Sequence, residues 1–140
     1  MTELKIVKTV FLKAPPSHVW KFLTEKDRLL TWFFAAENDL KEGGPFKMIS
    51  NTYGKEGEPV CWGEVLEARK PVRLVHTFTH NHLGGAETKC TWTLEPVGEG
   101  TVLTLIHEGW ESFEADPFGM AANHDVGWDE FFQRLRHVTK

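Results

Sequence analysis

The chain has 140 residues and a formal net charge of −4, with 41% hydrophobic and 12% aromatic residues. This length is one domain with enough buried surface for a real core, and the mild negative charge excludes the basic stripe of a general nucleic-acid binder. No apolar run is long enough to cross a bilayer, and the lysine-broken start MTELKIVKTVFLK lacks the apolar stretch of a secretory signal, so a single cytoplasmic domain over residues 1–140 is expected.

The first predicted element is a strand over 4–13 (LKIVKTVFLK), rich in β-branched residues. The prolines of APPSHVWKFLT open a helix and cannot continue a strand; Val19, Trp20 and Leu23 share one face of it. TEKD (24–27) matches a capping box, with Thr24 as the cap and Asp27 in the third position. It predicts a second short helix carrying Leu29, Trp32 and Phe33 on one side.

Strands follow, separated by turn chemistry. AAEND is a weak segment, and KEGGP (41–45) is a turn. FKMISNT (46–52) alternates Phe46 and Met48 against Lys47, and YGKEGEP turns the chain again. VCWGEVLEAR (60–69) is a long strand whose Gly63 signals a bulge or a close approach. KPVR leads into the strand LVHTFTH (74–80), and NHLGGAE is a loop. TKCTWTLEP (88–96) alternates cleanly, with Cys90, Trp92 and Leu94 on one face. After the turn VGEGT, TVLTLIH (101–107) puts Leu103, Leu105 and His107 on one phase. Short turns between strands imply an antiparallel meander. The segment 118–138 reads as a long helix, with Ala121, His124, Trp128, Phe131, Leu135 and Val138 forming an apolar stripe.

This order predicts an α+β domain: a curved antiparallel sheet wrapped around a long C-terminal helix, with two short helices after the first strand. A ligand would sit in the wedge between sheet and helix.

LKAPPSHVWKFLTEKDRLLTWF, GGPFKM, GEVLEARKPVRLVHTF, TLIHEGW and GWDEFFQRL together resemble the START-like (SRPBCC) superfamily. Within it they resemble the branch named after the activator of the ninety-kilodalton heat-shock protein ATPase. The resemblance runs through nearly the whole chain in order. It implies a helix-grip fold with an internal cavity. Members bind lipids, polyketides, steroids or plant aromatics; some are cyclases or dehydratases, and some assist a chaperone.

His107 shares its phase with Leu103 and Leu105, so the ring is expected to point inward. It is either a satisfied core histidine or a cavity group that orients a ligand or acts as a general base. His76, in phase with Phe78, and His124, on the gripping face of the helix, are its companions. They come from three separate elements, and nothing in their spacing demands a metal, so no metal or cofactor is assigned. The pair in HNH (80–82) reads as solvated loop histidines. Gly127 either lies in the first turn of a helix capped by Asp125 or lets the sheet or a ligand approach the helix backbone. Trp92 and Trp128 are the tryptophans best placed for a pocket, with Phe46, Met48, Phe78, Leu103, Leu105 and Phe131 completing its wall. Glu64, Glu108, Glu111, Asp116 and Asp125 form no confident carboxylate pair. Cys61 and Cys90 lack CxxC spacing and read as reduced buried thiols. There is no phosphate loop, nucleophile elbow or HExxH motif.

The leading functional expectation is a binder of a small hydrophobic molecule, lipid-like or aromatic. The alternatives are a cyclase or dehydratase using a cavity histidine, and an interaction module resembling the chaperone-ATPase activators. A homodimer through strand edges is a further expectation.

Overall fold

The computed structural model describes residues 3–49 and 58–140. In chain order the elements are β1 (Lys5–Leu12), α1 (Pro16–Thr24), α2 (Lys26–Leu29), β2 (Ala35–Ala36), β3 (Pro45–Ile49), β4 (Pro59–Arg69), β5 (Arg73–Phe78), β6 (Thr88–Val97), β7 (Gly100–Glu108) and α3 (Pro117–Val138). Single 3₁₀ turns at Asn81–Leu83 and Trp110–Ser112 follow β5 and β7. The strands form one antiparallel sheet in the order β1-β7-β6-β5-β4-β3-β2. The sheet curls around α3, which is the helix-grip arrangement. The end of the predicted strand 46–52 and most of the YGKEGEP turn lie outside the described residues.

The period-2 pattern decides the inner face. Along β7 burial alternates without a break, sealing Thr101, Leu103, Leu105 and His107 inside. In β6 Cys90, Trp92 and Leu94 are buried on the same side of the sheet. The inner phase of β1 holds Ile6, Val10 and Leu12, but also Lys8. Its ammonium reaches Asp125 at 2.8 Å and Asp129 at 2.9 Å, one turn apart on α3, and so ties the first strand to the helix. From α3 the core receives Ala121, Trp128, Phe132 and Leu135. Phe131, assigned to the stripe from the sequence, is only partly buried beside Phe132.

Three local expectations are corrected. Thr24 does not cap a helix; it ends α1, and its hydroxyl donates to the Trp20 carbonyl at 2.9 Å. Asp39, thirteen residues on, instead accepts the Lys26 N–H at 2.8 Å. The second helix is a single turn ending at Leu29, so Trp32 and Phe33 sit in the turns beyond it. Asp125 is no helix cap either: α3 begins at Pro117, with Asp116 accepting the Gly119 N–H at 3.0 Å, and Gly127 lies mid-helix.

Gly63 marks a close approach rather than a bulge. Trp62 faces Thr79 and Val65 faces His76 in one unbroken register, which shifts only between Val65 and Glu67. A Cβ at Gly63 would overlap the Thr77 carbonyl oxygen and lie 2.6 Å from Thr77 Oγ1. That hydroxyl is already accepting the Glu64 N–H at 2.8 Å.

Two imidazoles are part of the core itself. His76 donates from Nδ1 to the Thr77 carbonyl (2.9 Å), accepts from Trp92 Nε1–H at Nε2 (3.0 Å), and stacks on Phe46 with ring centroids 3.9 Å apart. The Thr88 hydroxyl donates to the Phe78 carbonyl (2.7 Å), so toward His107 it accepts, from Nε2–H, at 2.8 Å. His107 Nδ1 in turn accepts from Trp128 Nε1–H at 3.1 Å. Each ring has one proton and one lone pair, and both are used. Burial pushes His76 down to about 4 and His107 well below its ordinary value.

Two predictions rest on this packing. Both core histidines are neutral when folded and titrate near 6.5 when unfolded. Their contribution is therefore complete above about pH 6.5 and is lost as the pH falls toward 4, about 3 kcal/mol for His76 alone. Urea unfolding at a series of pH values should show the midpoint level above pH 7 and dropping steeply between 6.5 and 4.5; a flat profile contradicts the burial. Gly63→Ala should destabilise by about 1–3 kcal/mol, seen as a lower thermal midpoint, because β5 backbone has to move.

Candidate functional site

The middle of the grip is filled. Trp32, Trp92 and Trp128 meet edge to face, at 6.2 Å between the first two and 5.4 Å between the last two. Phe132 stacks on Trp128 at 5.8 Å and 21°. The space left among these rings and Leu23, His76 and Phe46 is about 10 Å³, at the lower limit for a single water. The wedge between sheet and helix, where a ligand was expected to sit, is closed there by these large rings.

A pocket of about 560 Å³ opens at one end instead. One wall is the middle of α3, where Gly127, Trp128 and Phe131 face it. Opposite stand Pro59, Val60 and Cys61 at the start of β4, with Phe78 from the end of β5. Phe33 and Phe34, in the segment between α2 and β2, supply a further wall. Phe33 stacks on Trp128 at 5.6 Å and 13°, and Phe131 meets Phe33 edge-on at 4.8 Å. A Cβ at Gly127 would meet nothing within 4 Å, so the missing side chain is pocket volume. Gly127 therefore lies mid-helix beside open space and not in a first turn.

Of the residues singled out from the sequence, Phe78, His124, Gly127, Trp128 and Phe131 line this pocket. The other seven do not. His107, His76, Trp92, Phe46, Met48, Leu103 and Leu105 are buried at 3% exposure or less. Phase assigned them correctly to the inner face, but they lie under other rings. Phe78 and Trp128 both pack against His107, at 4.9 Å and 6.0 Å. With both its nitrogens bonded to protein groups, His107 has no free position for a ligand.

The polar groups of the pocket are His124, expected from the sequence, and four residues that the sequence did not assign to it. His80, Asn81, His82, Asn123 and His124 line it. His80 Nε2 lies 2.9 Å from His124 Nε2. His124 Nδ1 is 2.8 Å from the Met120 carbonyl, and His80 Nδ1 accepts the His82 N–H at 3.2 Å. Burial first, then the neighbouring His124 and His82, pushes His80 down to about 4. Burial also lowers His124, against the opposing bond to Met120. The pair is neutral at pH 7. A signal for His80 was present: it continues the inward phase of His76 and Phe78 beyond the strand end.

Among the described residues no aspartate, glutamate, lysine or arginine lines the pocket. Glu64, Glu111 and Asp116 are exposed, and Asp125 is engaged by Lys8. Both cysteines are free and buried, and burial pushes the Cys61 thiol up, away from thiolate chemistry. Among the described residues no group of three or more His, Cys, Asp or Glu is placed to hold a metal ion, and no helix is long and apolar enough to cross a membrane. The arrangement suits burial of an uncharged ring system with one polar edge.

No curated protein matches the chain in sequence. Among solved structures it is similar to protein BH1534 of Bacillus halodurans, with 26% identity and a TM-score of 0.75 over 100% of both chains. CalU16 of Micromonospora echinospora is 26% identical with a TM-score of 0.74, covering 94% of this chain and 73% of its own. The Aha1 dimer of Colwellia psychrerythraea shares the fold at 19% identity and a TM-score of 0.73, covering 97% and 96%. Residues 13–140 match the family described as "Activator of Hsp90 ATPase homolog 1-like protein". The curled sheet gripping one long helix is the fold of these relatives, and with a match over almost its whole length the chain belongs to that family.

Proposed function

We propose that the protein binds a small, flat, largely apolar molecule in the pocket between α3, the start of β4 and the end of β5. The observation that carries this reading is a volume of about 560 Å³ walled by Phe33, Phe34, Phe78, Trp128 and Phe131, with polar groups confined to one end. Such a pocket, apolar with a few convergent polar groups, is the usual form of a small-molecule site. Burial of about 200 Å² of ring surface is worth on the order of 5 kcal/mol at ~25 cal/mol per Å². This corresponds to a Kd on the order of 0.1 mM before any polar contact is added.

A cyclase-type or dehydratase-type reading would need a histidine that can exchange protons with a substrate. His107 and His76 have no free nitrogen, so any acid–base role would fall to His80 and His124.

Gly127→Leu tests the binding reading. The new side chain enters open space and removes the penalty of a mid-helix glycine, about 1 kcal/mol relative to Ala. The variant should fold at least as stably as the parent and lose binding of naphthalene or indole, followed by Trp fluorescence and native mass spectrometry. If the parent takes up neither probe, or the variant binds both as the parent does, the pocket is not a binding site. An interaction module working through its outer surface, the chaperone-type alternative, would be indifferent to this substitution.

A further inference from the structure

The hydrogen-bonding pattern around His80 and His124 fixes every proton in the pair. The Met120 carbonyl can only accept, so His124 carries its proton on Nδ1 and presents a bare lone pair at Nε2. The His82 backbone N–H can only donate, so His80 is bare at Nδ1 and carries its proton on Nε2. The 2.9 Å contact is therefore a directed bond from His80 Nε2–H to His124 Nε2. One donor and one acceptor, from two different elements, point at each other on the pocket wall. His80 follows the last sheet pairing, between Thr79 and Trp62, as the extended residue that caps the 3₁₀ turn Asn81–Leu83. Parting the two rings breaks the contact between them and no strand pairing.

Any guest that parts these rings has to satisfy both of them, because a half-buried polar group left unpaired costs about 1–3 kcal/mol. An ether or ketone oxygen accepts from His80 but leaves the His124 lone pair empty. A carboxylate does the same and adds an uncompensated charge. An ammonium satisfies His124 and leaves the His80 N–H without an acceptor. A hydroxyl does both through one atom: its oxygen accepts from His80 Nε2–H, and its proton is donated to His124 Nε2. With the aromatic rings of Phe33, Phe78, Trp128 and Phe131 lining the same pocket, the guest's carbon frame is a flat ring.

We propose that His80 and His124 form a hydroxyl-recognition site, and that the pocket's ligand is a neutral aromatic or fused-ring alcohol or phenol whose O–H inserts between the two Nε2 atoms. This rests on the reading that the pocket binds a small apolar molecule.

The experiment compares naphthalene, 2-methoxynaphthalene and 2-naphthol by isothermal titration and by Trp fluorescence. In the parent protein 2-naphthol should bind about tenfold more tightly than its methyl ether, which accepts from His80 but leaves the His124 lone pair unpaired. In His124→Phe and His80→Phe that preference should fall below about twofold, with naphthalene binding retained. Should either variant fail to fold, imidazole ¹⁵N shifts of the parent decide. Naphthol should move both Nε2 signals while the ether leaves the His124 lone-pair signal unbonded. If none of the three compounds binds, the pocket reading itself falls. If all three bind alike, or the preference survives both substitutions, the pocket stands and the hydroxyl assignment is overturned.

Discussion

Among the described residues one fully buried hydrogen bond joins helix to sheet: Trp128 Nε1–H to His107 Nδ1, at 3.1 Å. Much of the architecture follows from it. The indole proton selects the His107 tautomer, whose remaining proton goes to Thr88, whose own hydroxyl closes on the Phe78 carbonyl. α3, β7, β6 and β5 are thereby joined through one chain of directed contacts in the buried interior, where such bonds are strongest and an unpaired member most costly. Trp128 is held with one side against Phe132 and another against Phe33. It is at once the last piece of the sealed core and the first wall of the open pocket.

The division between a sealed middle and an open end explains what the sequence made legible and what it did not. Alternation in β6 and β7 identifies the inner face because burial on a pleated strand has period 2. The same logic puts His107 inside. Phase reports which face a side chain joins, however, and not how far along the strand the helix's large residues reach. Leu105 and His107 share a phase with no difference in pattern, yet whether such residues meet a guest depends on rings contributed by Trp32, Trp92 and Trp128 from three distant segments. His80 was obscured for the converse reason. HNH looks like a solvated loop when read locally, whereas its first histidine extends the β5 phase toward a helix residue 44 positions away.

The boundary errors have a common origin too. Short polar side chains near a helix end have several nearby backbone partners to choose from. Thr24 bonds back to the preceding turn, leaving Asp39 to cap the next helix, and Asp125 is drawn off by Lys8. A four-residue window cannot see a partner thirteen or a hundred residues off. Hydrophobic period and turn chemistry carried the order of elements through these local ambiguities, since order survives where caps do not.

The uncharged lining of the pocket has a consequence of its own. Moving an ion out of water into such a place without a counter-ion costs several kcal/mol, before shape enters at all. On the binding reading proposed above, such a lining would act as a partition filter. Phosphorylated and carboxylated compounds would be turned away by their own hydration, and a modest set of aromatic contacts would need to discriminate only among the uncharged remainder.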